Sequence, residues 1–102
     1  MLTIKGDEIK ARLDAGETLH LIDVREPDEH AAFNIGGIFL PLGNIKMMQI
    51  EDIEDLKNEE VICYCRSGIR SMQACLILES AGFTHVKNME GGMLGWREKF
   101  RV

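Results

Sequence analysis

Four short segments along the chain read as strands, three of them mostly apolar. Leu19-His20-Leu21-Ile22-Asp23-Val24 is the first, and so continuous a run predicts a strand buried on both faces. Gly37-Ile38-Phe39-Leu40 reads as a second strand, ended by Pro41. Val61-Ile62-Cys63-Tyr64-Cys65 is rich in strand formers and predicts a central strand, and Val86-Lys87-Asn88-Met89 predicts the last. Between these runs the pattern changes to a helical period. Ile9 and Leu13 stand four apart within 7–15, with acids in the first turn and Gly16 after it, which predicts a short amphipathic helix. Ile45 to Leu56 reads as helical but interrupted. Ser71 to Ala81 predicts a full helix with Gly82 just past its end, and Leu94 to Phe100 a closing one. Strands alternating with helices imply an α/β sandwich around a mostly parallel sheet. Residues 1–102, with no repeat, linker or low-complexity stretch, are expected to form one domain.

Composition adds exclusions. The chain is 45% hydrophobic and 28% charged, which argues against disorder. No apolar run approaches the roughly 20 residues of a membrane-spanning helix, and the first eight residues lack the cationic and apolar regions of a signal peptide. The expectation is a cytoplasmic protein with no membrane partner. Seventeen acidic against 12 basic side chains give a net charge of −5, which repels phosphate backbones and argues against nucleic acid. The acids crowd between Glu51 and Glu60, a stretch expected to be a solvated face.

Candidate chemistry begins with the three cysteines, Cys63, Cys65 and Cys75. An odd, low count argues against a disulfide framework. Their spacing, with His20, His30 and His85 scattered, matches no zinc site, so no metal or other cofactor is called for. Cys63 at mid-strand and Cys75 at mid-helix read as core residues. Cys65 differs, because it opens the segment Cys65-Arg66-Ser67-Gly68-Ile69-Arg70-Ser71. Its sulfur would sit at the carboxyl end of a buried strand, where open α/β sheets usually bind ligands. The loop amides of Arg66, Ser67, Gly68, Ile69 and Arg70 can curl into an anion nest ahead of a helix N-terminus, with Gly68 allowing positive φ. Arg66 and Arg70 add charge. Such surroundings lower a cysteine pKa from near 8.5 to about 3.5–7.5.

A preformed thiolate with no adjacent general base suits a reaction whose leaving group is already an anion. Transfer of a sulfane sulfur meets that condition: the Cys65 thiolate attacks the outer sulfur of a donor such as thiosulfate, and sulfite departs without a proton. A small-molecule donor and acceptor are therefore the expected partners. Two other readings keep the same loop. A phosphatase or arsenate reductase would use a cradle one residue longer than the four residues, Arg66 to Ile69, found between Cys65 and Arg70. A persulfide relay module would pass its sulfur to a protein partner with little turnover on small molecules.

The chain resembles the rhodanese family of sulfurtransferases in its single-domain form. Leu21-Ile22-Asp23-Val24-Arg25-Glu26-Pro27 is similar to the family's first signature, and Cys65 to Ser71 to its active-site loop. Val86 to Gly92, with Trp96, is similar to its C-terminal signature. The resemblance implies Cys65 as nucleophile and persulfide carrier, Arg66 through Arg70 as the anion cradle, and a five-stranded sheet with helices on both faces. It also implies a dithiol protein as a plausible acceptor. One stretch departs from the pattern. Family members often read Gly-His-Ile-Pro-Gly-Ala where this chain has Phe33-Asn34-Ile35-Gly36-Gly37-Ile38.

Ser71, Asp23 and Arg25 are expected to support the loop rather than react, the last two as an ordinary ion pair. Gly91-Gly92 reads equally as a turn or as a pocket wall. Trp96 reads as a core anchor, and the three histidines carry no assigned role.

Overall fold

The computed structural model describes residues 1–101. Five strands form one sheet in the order β1-β5-β4-β2-β3, every neighbouring pair parallel. They are β1 (Leu2–Lys5), β2 (His20–Asp23), β3 (Ile38–Phe39), β4 (Val61–Tyr64) and β5 (Val86–Glu90). The helices are α1 (Gly6–Asp14), α2 (Pro27–Ala32), α3 (Leu42–Lys46), α4 (Ile69–Ser80) and α5 (Gly92–Phe100), with a 3₁₀ helix at Glu51–Leu56. The expected α/β architecture is present, with an all-parallel rather than mostly parallel sheet.

Strand alternation divides the core in two, because successive side chains point to opposite faces. On one face Ile22, Cys63, Cys65 and Val86 pack with Ile45, Ile53, Ala74, Cys75 and Leu78 of α3, the 3₁₀ turn and α4. On the other, Leu21, Ile62, Tyr64 and Met89 pack with Ile9 of α1 and Met93 and Trp96 of α5. Trp96 is buried edge-on to Phe100, 4.7 Å between centroids, as a core anchor should be. The interrupted segment breaks between α3 and the 3₁₀ turn, where Met48 has a φ of 58°. Of the acidic stretch, the acids from Glu51 to Glu59 are solvated as expected, but Glu60 is half-buried and bound by Arg12 and Lys87. Among the described residues no helix is long and apolar enough to cross a membrane.

Two elements carry no apolar run. In β1 only Ile4 is buried, and the Leu2-Thr3-Ile4-Lys5 alternation is only four residues long, yet the strand completes the sheet edge against β5. In α2 no residue is buried, and its stability comes from its first turn. Pro27 sits at N1, the Glu26 side chain accepts from the backbone three residues on, and the Glu29 carboxylate accepts the Glu26 amide at 3.0 Å.

Candidate active site

The central strand β4 ends at Tyr64, and Cys65 is the next residue, fully buried. The chain then turns through Arg66 and Ser67 to Gly68, whose φ of 101° is open to glycine and strained for other residues. That turn starts α4 two residues earlier than the apolar period suggests, at Ile69. It also folds the loop back over the sulfur. The Gly68 amide donates to Cys65 Sγ at 3.1 Å, and the Ser71 amide and hydroxyl each lie 3.3 Å from it. Burial alone would push the thiol pKa up, but hydrogen bonds from the Ser71 hydroxyl and from the Ser71, Gly68 and Ser67 amides outweigh it, and the net shift is downward. Cys63 behaves oppositely. The neighbouring Cys75 thiol and complete burial hold it protonated, well above the usual thiol range.

Two elements hold this loop from behind. Asn88 of β5 is buried, donates through Nδ2 to the Gly68 carbonyl at 3.1 Å, and accepts the Ser71 hydroxyl at 2.5 Å. At the start of α5, the Met93 amide donates to the Cys65 carbonyl at 2.8 Å and the Leu94 amide to the Arg66 carbonyl at 2.9 Å. The end of β4 and the loop are thus held by the Asn88 side chain and by main-chain bonds from α5. Gly92 makes the close approach: a Cβ there would lie 2.5 Å from the Arg66 carbonyl oxygen, and its φ is +57°. Gly91-Gly92 is therefore a turn and a wall of the site at once.

The arginines divide their roles. Arg70 on the first turn of α4 forms a bidentate pair with Glu29 of α2, at 2.8 and 2.9 Å. This holds the Glu29 carboxyl down at about 2. The Arg70 charge is thus already shared, and Arg70 is not among the groups hydrogen-bonded to Sγ. Arg66 is exposed and lines a cleft with Arg25, Glu29, Ala32, Phe33, Met93, Leu94 and Arg97. Ser67 is exposed on the loop and acts through its amide, while Ile69 opens α4 with its side chain exposed.

Asp23 and Arg25 form a buried ion pair, Nε to Oδ1 at 2.9 Å and Nη2 to Oδ2 at 2.8 Å. Asp23 also meets His30 Nδ1 at 2.8 Å, a partner that spacing alone did not suggest, and His30 stacks on Phe39. Arg25 in turn donates to the Phe33 carbonyl at 2.5 Å and lies 5.6 Å from the Tyr64 ring centroid. The atypical segment after α2 is organised by this cluster. The Asn34 side chain accepts the Gly36 amide at 2.8 Å, and the Tyr64 hydroxyl donates to the Gly36 carbonyl at 3.0 Å. Gly36 has a φ of 92°, which a proline ring fixed near −65° cannot adopt. The departure at this position is thus a different loop conformation, kept by Tyr64.

Cys65 and its loop therefore come together with Ser71 as the sequence suggests, while Asp23 and Arg25 lie one strand away, against Tyr64. Asn88 and Glu29 are site residues that the sequence reading does not single out. For Glu29 a signal existed, since Glu26-Pro27-Asp28-Glu29 has the form of a capped helix start.

The rhodanese-like domain family matches residues 5–99. A Bacillus subtilis protein, YtwF, named provisionally as a sulfurtransferase, is 43% identical over 90 residues, 86% of this chain and 82% of its own length. The thiosulfate sulfurtransferase PspE of Escherichia coli is 40% identical over 73 residues, 71% of this chain and 69% of its own. Among solved structures, the human single-domain sulfurtransferase TSTD1 superposes with a TM-score of 0.79 at 25% identity, covering 97% of both chains.

Proposed function

The chain belongs to the rhodanese-like domain family of sulfurtransferases, and on that premise we propose that it moves a sulfane sulfur through a persulfide on Cys65. The observation that carries this reading is the set of donors on Cys65 Sγ, two backbone amides and a hydroxyl within 3.3 Å. They stabilise negative charge on a sulfur with no neighbouring base to make it. In the first half-reaction the thiolate attacks the outer sulfur of thiosulfate. A Cys65 S–S bond forms as the donor's S–S bond breaks, and sulfite leaves with the electron pair. In the second, cyanide or a thiolate attacks the terminal sulfur, and the same donors take back the Cys65 thiolate. Ping-pong kinetics follow. The loop amides of Arg66 to Arg70 would hold the charged terminal sulfur, and the Arg66 guanidinium would meet the anionic donor. Three unpaired cysteines fit a reducing compartment, and the proposed location is the cytoplasm.

A relay to a protein partner is the second reading. Ile69 at 65% exposed and Met72 at 44% lie on the first turn of α4, beside a nucleophile that is itself fully buried. An apolar rim around a recessed sulfur suits a docking thiol protein, such as a dithiol acceptor. Intact-mass spectrometry after thiosulfate treatment tests the shared step. One added sulfur is expected on Cys65, removed by cyanide and absent from Cys65→Ser. Sulfur on Cys63 or Cys75 would overturn the assignment, and rapid thiocyanate formation would exclude the purely passive carrier.

A further inference from the structure

The Ser71 hydroxyl has one proton and two claimants. Asn88 Oδ1 lies 2.5 Å from Ser71 Oγ, and Cys65 Sγ lies 3.3 Å from it. The orientation of the Asn88 amide is fixed from its other end, because Nδ2 donates to the Gly68 carbonyl at 3.1 Å and two carbonyl oxygens cannot pair. Oδ1 is therefore the atom facing Ser71, and a hydroxyl is its donor. With Cys65 as a thiol every group is satisfied: the thiol proton points to Ser71 Oγ and the Ser71 proton to Asn88. Remove the thiol proton, and the sulfur becomes an acceptor facing a hydroxyl oxygen. The hydroxyl can meet the new charge only by turning its proton away from Asn88.

We propose that Asn88 and Cys65 compete for the single Ser71 proton, so that Asn88 is a positioning residue that restrains ionisation of the nucleophile. The inference rests on Cys65 being the working thiolate. Ionisation trades the Ser71–Asn88 bond for a Ser71–sulfur bond and leaves a buried carbonyl oxygen without its donor. The two amides remain on the sulfur in either state. A thiolate restrained in this way keeps more nucleophilicity than one with a lower pKa, since intrinsic reactivity falls as pKa falls. When the charge moves to the outer sulfur of a persulfide, the hydroxyl returns to Asn88.

The charged and titratable groups around the site do not replace this proton. Cys63 lies beneath on β4, the Arg70 guanidinium gives its donors to both Glu29 oxygens, and Arg66 stands exposed to solvent. Glu29 is taken by Arg70, and Lys87 next to Asn88 is taken by Glu60 on the opposite face of β5. Cys75 donates to the Lys87 carbonyl at 3.5 Å.

The test is the pH dependence of Cys65 alkylation in Asn88→Ala, Ser71→Ala and the double variant, with no sulfur donor present. Asn88→Ala frees the hydroxyl for the sulfur. The Cys65 pKa should fall, raising the thiolate fraction below it about 3- to 10-fold, the worth of one ordinary hydrogen bond. In the Ser71→Ala background the same substitution should not lower it. An unchanged or raised pKa in Asn88→Ala, or an equal fall in both backgrounds, overturns the proposal. A residue that merely held the Gly68 carbonyl would act alike in both. Should Asn88→Ala not fold, the Asn88 side-chain carbonyl ¹³C resonance decides instead. It should titrate with Cys65 in the wild type and lose most of that response in Ser71→Ala; equal responses overturn the proposal. Neither readout involves sulfur transfer. Failure here leaves the persulfide chemistry standing, whereas success here without sulfur uptake from thiosulfate would defeat the functional reading alone.

Discussion

Cys65 is offered more hydrogen-bond donors than cations. Its two amides and one hydroxyl come from residues fixed by the turn at Gly68, while the guanidinium of Arg70 is held by both oxygens of Glu29. The sequence suggests that the two arginines share in lowering the thiol pKa; the geometry assigns most of that work to the loop and to Ser71. The two substitutions should therefore differ. Ser71→Ala loses a donor in contact with the sulfur and should raise the Cys65 pKa by about half a unit to one unit. Arg70→Ala should raise it less, because the guanidinium acts on the sulfur through space and not by a hydrogen bond, even though its loss leaves the Glu29 carboxylate bare. Alkylation rates measured against pH check both. A larger shift in Arg70→Ala than in Ser71→Ala would return the guanidinium to the leading role. Burial adds a kinetic signature: small alkylating agents should outpace bulky maleimides at Cys65 by far more than on an unfolded chain.

At the scale of elements, the site exists because α5 begins where the loop ends. Gly92→Ala places a methyl against the Arg66 carbonyl with a left-handed φ, at a cost of about 1–3 kcal/mol of backbone strain, with more from crowding. A fall in Tm of roughly 5–15 °C, with persulfide formation reduced at least tenfold, is the expected result in thermal melts and sulfur-loading assays. Tyr64→Phe acts on the other side of β4. It leaves the Gly36 carbonyl without its donor, should cost about 1 kcal/mol, and should speed amide exchange through 33–38 while sulfur loading continues. These contacts explain what could be read from the sequence. β2, β4, α4 and the Cys65 loop are legible because each is a contiguous run whose pattern reports its own burial. β1 and α2 are fainter, since one buries only Ile4 and the other nothing; their traces are the four-residue alternation Leu2-Thr3-Ile4-Lys5 and the capped start at Glu26-Pro27, not a sustained hydrophobic period. Asn88 escapes for a different reason. Its bonds to Gly68 and Ser71 arise only when β5 lies in parallel register beside β4, with Asn88 opposite Cys63, and no local spacing encodes that register.

Across the whole molecule, parallel strands leave crossovers as the only covalent links between neighbours, so side chains that bridge elements bear on cooperativity. Glu60, just before β4, is the clearest case. It accepts from Arg12 of α1 at 2.6 and 3.1 Å and pairs with Lys87 of β5 at 2.7 Å. The Arg12 guanidinium, with Lys87 behind it, brings its carboxyl down to about 2 against the partial penalty of burial. An unfolded glutamate titrates near 4.3. Above that value both states are ionised and the full contribution of the bridge is present. As pH falls from about 5 to 2, the unfolded chain takes up a proton that the folded chain refuses, and the contribution drains away. Glu60→Gln should consequently lower stability at neutral pH by about 1 kcal/mol, the upper range for pairs that solvent still reaches. Urea titrations of both proteins at a series of pH values should show that difference shrinking through the acid range and closing near pH 2. Glu29, drawn down to a similar value by Arg70, would leave a second acid-dependent slope in both proteins and so cancels from the comparison. A difference that stays constant with pH would mean that Glu60 acts through packing, and that α1, β4 and β5 are held together by the apolar core alone.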